Sequence, residues 1–299
     1  MTRAGFVSLV GRPNAGKSTL TNALVGEKVA ITSARPQTTR RVIRGIVNRE
    51  GGQVILVDTP GMHRPRTLLG ERLNDLVRET LGDVDLVALC LPANDKLGPG
   101  DAYLLEEIKK SRTPVIAVVT KADLVPKEQL ALHLAEVAEF ADFQEIVPVS
   151  ATTGDNVEYL ADLLVGLMEE SPILYPEGEE IQEPERIVVA ELIREAALEG
   201  VRDELPHSIA VLVEEMNERP QKPGDKRPPL IDIHADLYVE RSSQKGIVIG
   251  AKGARLKEVG KAAREEIEKL LACRVYLDIH VRVAKEWQRD PKLLRRLGF

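Results

Sequence analysis

Residues 11–18 have the types and spacing of a phosphate-binding loop. They read G-R-P-N-A-G-K-S, fit the pattern G-x-x-x-x-G-K-[ST], and lie between an apolar run and a helical pattern. Glycines let backbone N–H groups turn towards an anion, and the helix N-terminus adds a favourable dipole. A chance Gly-rich turn is the alternative, which the flanking elements disfavour. We predict nucleotide contacts from Gly11, Arg12, Pro13, Asn14, Ala15, Gly16, Lys17, Ser18 and Thr19.

Within this loop two side chains could do chemistry. Lys17 is expected to reach the β- and γ-phosphates of a nucleotide, and Ser18 to ligate Mg²⁺. Asp58-Thr59-Pro60-Gly61 follows the apolar run Val54–Val57, where Asp58 could hold the same ion through water and the Gly61 N–H could approach the γ-phosphate. Many turns contain D-x-x-G, but its position after the phosphate loop favours this function.

A base-recognition motif follows further along the chain. Thr120-Lys121-Ala122-Asp123 ends the run Val115–Val119. The Asp123 carboxylate can accept two hydrogen bonds from guanine that adenine cannot donate, and the Lys121 stem can cover the ring. Ser150-Ala151 follows the next apolar run and would bring a backbone N–H near the guanine oxygen. The sequence therefore predicts GTP rather than ATP.

These motifs need a sheet that brings strand ends together. Short apolar runs alternate with helical patterns from Gly5 to about Glu170. This alternation predicts an α/β domain with a mostly parallel sheet, helices on both faces and ligands at the carboxyl ends of the strands. The predicted strands are Phe6–Val10, Val42–Val47, Val54–Val57, Leu86–Leu91, Val115–Val119 and Ile146–Val149. The predicted helices are Ser18–Leu24, Leu69–Thr80, Asp101–Lys110, Lys127–Phe140 and Val157–Glu169.

The pattern changes after an acidic, Pro-rich stretch. We predict a first domain over 1–171, a linker over 172–184 and an α+β domain with a carboxy-terminal helix over 185–299. The second domain reads as the helix Ile187–Gly200, the strand Ile209–Glu215, a Pro-rich loop Arg219–Pro229, the strand Leu230–Glu240, a turn near Gly250, the helix Ala254–Leu271 and the strand Val275–Val283. In the strand before the turn, Ile231, Ile233, Ala235, Leu237 and Val239 alternate onto one face.

A second Gly-rich loop precedes the long helix of this domain. Residues 247–253 read I-V-I-G-A-K-G, and the apolar triplet is expected to pack the preceding short helix. Two glycines let a sugar-phosphate backbone approach, and basic side chains supply charge. A plain helix-turn-helix connection with a solvated basic face is the alternative. The predicted RNA contacts are Ile249, Gly250, Ala251, Lys252, Gly253, Arg255 and Lys257.

Composition narrows the class of protein. The chain has 299 residues and a formal net charge of −6, which alone argues against nucleic-acid binding. The acidity is uneven, because residues 1–180 have a net charge of −7 whereas residues 219–299 hold 19 basic and 11 acidic side chains. Aromatic residues make up 3%, so we expect little base stacking. Two distant cysteines and the absence of a long apolar run favour a cytoplasmic protein without disulfides or a zinc site.

The nucleotide motifs, in this order, resemble the translation-factor-related GTPases. The resemblance extends to Pro36-Gln37-Thr38-Thr39-Arg40 as a first switch, in which Thr39, with Thr38 as the less favoured candidate, would ligate Mg²⁺ and sense the γ-phosphate. In related GTPases an Asn at the place of Asn14 ligates K⁺, whereas a loop amide bonded to its own backbone is the alternative here.

The chain departs from the pattern at Thr120, where Asn is usual, and at Met62, which cannot orient the attacking water as Gln does. Slow intrinsic hydrolysis is therefore expected, with Lys17, Thr39 and Gly61 as the catalytic set and with a partner or a monovalent cation supplying the missing electrostatics.

Helix, strand, strand, G-x-x-G between helices, long helix and strand are the order of a bacterial (type II) KH domain. With the GTPase motifs in front of this domain, the whole chain resembles the Era family. The motifs that carry this resemblance include Tyr238-Val239-Glu240-Arg241, Val248-Ile249-Gly250 and Leu297-Gly298-Phe299. The resemblance implies a GTPase switch that binds the 3′ region of small-subunit (16S) ribosomal RNA and assists assembly of the 30S subunit from a pre-30S particle. It also implies a monomer without DNA as partner and with peripheral association with the inner membrane. A passive nucleotide-binding adaptor for RNA or membrane is the alternative.

Overall fold

The first of two compact units contains a six-stranded sheet. The computed structural model describes residues 2–30, 40, 42–62, 65, 67–176, 184–199, 201, 205–221 and 227–299. The strands are β1 (Arg3–Gly11), β2 (Ile43–Arg49), β3 (Gly52–Asp58), β4 (Leu86–Pro92), β5 (Val115–Thr120) and β6 (Ile146–Pro148). Their order is β2-β3-β1-β4-β5-β6, and only β2 runs antiparallel to its neighbour. The predicted mostly parallel sheet is confirmed.

Helices cover both faces of this sheet. They are α1 (Lys17–Val25), α2 (Leu68–Gly82), α3 (Pro99–Ser111), α4 (Lys127–Phe140) and α5 (Val157–Leu167). One apolar layer joins the sheet to α1 and α5 through residues such as Leu20 and Leu160. The other joins it to α2, α3 and α4 through Val77, Leu104 and Val137. Because both faces are covered, β3 and β4 are buried along their whole lengths, which explains their continuous apolar runs.

The topology brings the predicted nucleotide motifs to one edge. Strands β1, β3, β4, β5 and β6 are parallel, so their carboxyl ends meet at the same edge of the sheet. The loops after β1, β3, β5 and β6 contain the phosphate loop, Asp58–Gly61, Thr120–Asp123 and Ser150-Ala151. Open α/β sheets bind ligands at this edge.

The second unit is an α+β fold with a three-stranded sheet. Its elements are α6 (Glu185–Leu198), α7 (Leu205–Ser208), β7 (Ala210–Arg219), β8 (Leu230–Val239), α8 (Ser242–Ile249), α9 (Ala254–Leu271), β9 (Arg274–Val283) and α10 (Pro291–Arg296). Strand β7 pairs antiparallel with β8, and β8 pairs parallel with β9. Trp287 is fully buried, and its Nε1–H donates to the Ser208 carbonyl at 2.9 Å.

Two details of this unit differ from the sequence expectations. Strand β7 continues to Arg219 instead of ending at Glu215, because a bulge between Val213 and Glu215 lets the pairing with β8 resume. The bidentate pair of Arg219 with Asp232 on β8 then holds the strand end, with nitrogen–oxygen distances of 3.0 and 2.7 Å. The short helix α7 had no signal in the hydrophobic pattern, since four residues are too few for a helical period.

The first residues after α5 are attached to the first unit. The Ser171 N–H donates to the Thr2 carbonyl at 3.1 Å, and the Thr2 hydroxyl donates to the Ser171 carbonyl at 2.8 Å. The side-chain amide of the buried Gln53 exchanges two hydrogen bonds with the backbone of Tyr175, both of 3.1 Å. Part of the predicted 172–184 linker therefore packs on the sheet domain, while residues 177–183 lie outside the described chain.

In the described residues, both cysteines are free thiols, and none of the helices is long and apolar enough to cross a bilayer.

We predict that Gln53→Leu releases the segment around Tyr175 without disturbing β3. The variant keeps the side-chain size but removes both hydrogen bonds to Tyr175, each of which contributes about 1 kcal/mol, together with the bond from Gln53 Nε2 to Asn48 Oδ1 on β2. Hydrogen exchange of the Tyr175 amide should accelerate by roughly tenfold, while the Leu56 amide in the same strand keeps its protection. An unchanged rate at Tyr175 would contradict this attachment.

Candidate functional site

The phosphate loop is held open by its own lysine. Gly16 has φ +85° and Asn14 has φ +64°, left-handed conformations that turn the loop back over the start of α1. Lys17 is buried, and its Nζ donates to the carbonyls of Gly11 and Arg12, both at 3.1 Å. The ammonium therefore lies inside the loop and can exchange carbonyl partners for phosphate oxygens.

Burial shifts the pKa values of Lys17 and Cys90 at the phosphate loop. Loss of water lowers the pKa of Lys17 from its ordinary value, and the nearby Asp58 and Cys90 oppose this shift. Burial likewise raises the pKa of the Cys90 thiol to about 12, so Cys90 stays neutral. A desolvated ammonium attracts an anion more strongly than an exposed one, because less solvent screens it. The buried Lys17 ammonium therefore favours binding of a polyphosphate at this loop.

The oxygen donors around Ser18 fit a magnesium ion. The Ser18 hydroxyl donates to Asp58 Oδ2 at 2.7 Å, and the Asp58 side chain is fully buried at the end of β3. A hydroxyl and a carboxylate beside phosphate oxygens form the hard donor set that Mg²⁺ prefers. Ser18 would bind the ion directly and Asp58 through water. The bound ion supplies charge neutralisation for the β- and γ-phosphates.

Gly61 lies against the phosphate loop. A Cβ added there would come within 2.8 Å of the Pro13 backbone, so only glycine fits at this approach. The preceding Thr59 is fully buried, and its hydroxyl donates to the Leu9 carbonyl on β1 at 2.8 Å. This contact fixes the start of the loop after β3. The Gly61 N–H is thereby kept near the predicted γ-phosphate position.

The loops after β5 and β6 contain the residues predicted to contact the base. Lys121 adopts a left-handed conformation with φ +57°, and Asp123 is exposed in the following turn. The Ser150 N–H already donates to the Asp155 carbonyl at 3.0 Å. In the part of the chain that the structure describes, the Ala151 N–H donates to no acceptor. Of this dipeptide, Ala151 is therefore the residue that can meet the guanine oxygen.

Met62 and the first switch complete the predicted catalytic region. Met62 is 2% exposed and packs in the apolar layer with α2 and α3. Its burial agrees with the expectation that it does not orient water. The predicted first switch, as far as Thr39, lies outside the described residues. The magnesium contact of Thr39 therefore stays a prediction.

Asp101 contacts the phosphate loop, although no sequence motif marks it as a site residue. It is fully buried at the start of α3, where one carboxylate oxygen accepts from the Gly98 N–H and the other lies 2.8 Å from Arg12 Nε. The pair directs the Arg12 side chain towards α3, so Arg12 can offer the nucleotide its backbone. Pro99 followed by an acid at the third helical position was the available signal, but it indicates a helix start and not a partner.

The second Gly-rich loop is built from left-handed residues. Gly250, Lys252 and Gly253 have φ of +73°, +51° and +80°, and they form a tight turn between α8 and α9. Lys252 and Lys257 are exposed. A Cβ on Gly250 would lie 2.7 Å from the Arg255 Cβ, so the turn requires glycine there. The geometry allows a phosphodiester backbone to approach the loop.

Two expectations about this loop need correction. The Arg255 guanidinium donates to the carbonyls of Ala197 and Glu199 at 3.3 and 2.6 Å, so it caps the end of α6 rather than extending into solvent. The apolar triplet does not pack as a unit, because Val248 is 1% exposed while Ile247 is 54% exposed. Helical geometry places these neighbours on different faces. Ile247 and the half-buried Ile249 remain accessible beside the loop.

Gln244 positions α8 relative to the sheet. Its Oε1 accepts from the backbone N–H groups of Glu240 and Arg241, both at 2.9 Å, and its Nε2–H donates to the Ser208 hydroxyl at 3.1 Å. One buried amide thus caps the helix and links it to α7.

We predict that the buried Lys17 makes stability depend on alkaline pH. Its folded-state pKa lies below the ordinary value of 10.5, so between these two values the unfolded chain binds more protons. The native protein should therefore gain stability relative to Lys17→Met as alkaline pH rises towards the ordinary lysine pKa of 10.5, measured by urea unfolding without nucleotide. Lys127→Met controls for loss of a lysine. A difference that is constant with pH would contradict the prediction.

Comparison with known proteins identifies both units. A family model described as "50S ribosome-binding GTPase" matches residues 6–121, and a KH domain model matches residues 204–288. GTPase Era of a Nocardioides species is 63% identical over 303 residues, covering 99% of this chain and 96% of the relative. GTPase Era of Streptomyces coelicolor is 64% identical and covers 99% and 95%.

The comparison with solved structures gives the same result as the comparison with sequences. A variant of Aquifex aeolicus Era bound to GDP·AlF4⁻ has a TM-score of 0.92 at 36% identity, with 99% of both chains covered. A structure of Era in complex with MgGDPNP and nucleotides 1506–1542 of 16S ribosomal RNA has a TM-score of 0.93 at 36% identity, with 100% and 99% covered. Similarity over nearly the full length, added to the phosphate loop, the base loops and the KH turn, shows that the chain belongs to the Era family of GTP-hydrolysing proteins.

Proposed function

We propose that this GTPase binds the single-stranded 3′ region of small-subunit ribosomal RNA and that hydrolysis of GTP times its release from a maturing 30S subunit. The observation that carries the proposal is a G-x-x-G turn with exposed lysines in the same chain as the predicted GTP site. The related Era structure with 16S ribosomal RNA supports the choice of RNA. The conformational step between the GTP and GDP states would act through the residues that approach the γ-phosphate.

The surface around the turn has the charge and shape for unpaired RNA. Lys252 and Lys257 are exposed, and within the described ranges neither enters an ion pair. Ile247 and Ile249 offer aliphatic contact for bases, which suits a chain in which aromatics make up 3%. Backbone approach at the glycines, cations for phosphates and aliphatic groups for bases together favour a short single-stranded segment. The predicted Arg255 contact is weakened by its bonds to α6.

We expect Lys252→Ala combined with Lys257→Ala to weaken binding of a 3′ 16S oligonucleotide by roughly tenfold, because two charged contacts are lost. The slope of log affinity against log salt should become shallower by about 1.4, the value for two contacts to single-stranded RNA. Lys261→Ala combined with Lys269→Ala is the matched control, since both lysines lie on α9 and pair with Glu265 and Glu266.

Equal losses in the two double variants would show that only general charge matters, which contradicts a site at the turn. The same titration with a non-hydrolysable GTP analogue and with GDP tests the switch. Identical RNA affinities in both nucleotide states would remove the proposed coupling.

We also propose that a K⁺ ion bound at Asn14 supplies charge that the buried Met62 cannot. Asn14 is exposed on the phosphate loop, where a side-chain oxygen could reach an ion beside the phosphates. Turnover of the isolated protein should be faster in KCl than in NaCl by roughly tenfold, and Asn14→Ala should abolish the difference. Equal turnover of the native protein in both salts would contradict the proposal of a K⁺ ion at Asn14.

Membrane association, pre-30S binding and a monomeric state stay predictions.

A further inference from the structure

The Thr120 side chain is hydrogen-bonded to the phosphate loop. Its side chain is buried, and Oγ1 lies 2.7 Å from the Ala15 carbonyl oxygen. A carbonyl oxygen can only accept a hydrogen bond, so the hydroxyl must be the donor. Threonine has a single hydroxyl hydrogen, and this contact uses it. Thr120 thus has no second hydrogen to offer a ligand.

Guanine has one acceptor, N7, to which Thr120 cannot donate a hydrogen bond. Asp123 can accept from the base N1–H and the exocyclic amine, and the Ala151 N–H can donate to O6. N7 of the base is an acceptor and needs a donor. Asparagine at position 120 would have two amide hydrogens, one for the Ala15 carbonyl and one for N7. Threonine can make only the first of these contacts.

Two neighbouring contacts keep Thr120 in this role. Ala15 is 1% exposed, so turning the hydroxyl towards the base would leave a buried carbonyl without its partner. The Ala122 N–H, the nearby backbone donor, already donates to the Val149 carbonyl at 3.1 Å. A Cβ added to Gly16 would lie 3.5 Å from the Thr120 Cβ, so the base loop passes close to the phosphate loop at this point.

We propose that Thr120 is a positioning residue that ties the base loop to the phosphate loop and that the protein therefore does not recognise guanine N7. This inference rests on the GTP site and deepens it, because it states which edge of the base contributes to affinity. The protein should tolerate guanine nucleotides that lack N7, such as 7-deazaguanosine diphosphate.

The first test uses the full-length native protein. Dissociation constants for GDP and 7-deaza-GDP are measured by competition with a fluorescent GDP analogue. We expect the two constants to agree within about twofold, because no hydrogen bond is lost, whereas a lost bond would cost roughly fivefold. A penalty of fivefold or more for 7-deaza-GDP would overturn the inference while leaving the GTP site intact. Absence of GDP binding would overturn both.

Three variants separate positioning from base recognition. Thr120→Asn should bind GDP roughly fivefold more tightly than the native protein but gain nothing for 7-deaza-GDP. Thr120→Ser keeps the hydroxyl and should match the native ratio. Thr120→Val keeps the shape without the donor and should weaken both nucleotides equally, by about fivefold or more.

Two results would contradict the proposal. A Thr120→Asn protein that gains equally for both nucleotides would show that the amide does not meet N7. Native-like affinity in Thr120→Val would show that the bond to Ala15 does not position the loops. If Thr120→Asn does not fold, the native comparison and the Ser and Val variants decide the question.

Discussion

A buried ammonium group is the constraint on which the nucleotide domain depends. Lys17 must lose its water to lie inside the phosphate loop, and two loop carbonyls replace part of that solvation. The loop can hold this shape because Gly61 packs on Pro13 from one side and Thr120 bonds Ala15 from the other. Each of these contacts comes from a different strand end, so the parallel sheet is needed to assemble the site.

The second unit solves a different electrostatic problem. Lys252 and Lys257 at its Gly-rich loop are exposed, so they keep their water until an anion arrives. The buried polar groups there serve geometry: Gln244 caps α8, and Arg255 caps α6. The uneven charge of the chain reflects this division, because a polyphosphate in a pocket needs few cations held precisely, whereas a nucleic-acid backbone needs an open basic surface.

Local patterns predicted the strands, most helices and the loops, because hydrophobic periodicity and glycine spacing are properties of neighbouring residues. They did not predict the partners of side chains across the fold. Arg255 had the charge and position of a phosphate contact, yet the end of α6 takes its guanidinium. Asp101 had the signature of a helix cap, but its contact with Arg12 requires α3 to lie beside the phosphate loop. Met62 showed only that Gln is absent, while its burial depends on α2 and α3.

The backbone of the ligand loops has a consequence for engineering. Among the described residues other than glycine, seven have positive φ, and they include Asn14, Lys121 and Lys252. A left-handed conformation costs such a residue about 1 kcal/mol relative to glycine. The predicted phosphate, base and KH loops thus each give up some stability at one such residue. Glycine substitution at Asn14, Lys121 or Lys252 would relieve this cost, but it would remove a polar side chain that is predicted to contact a ligand.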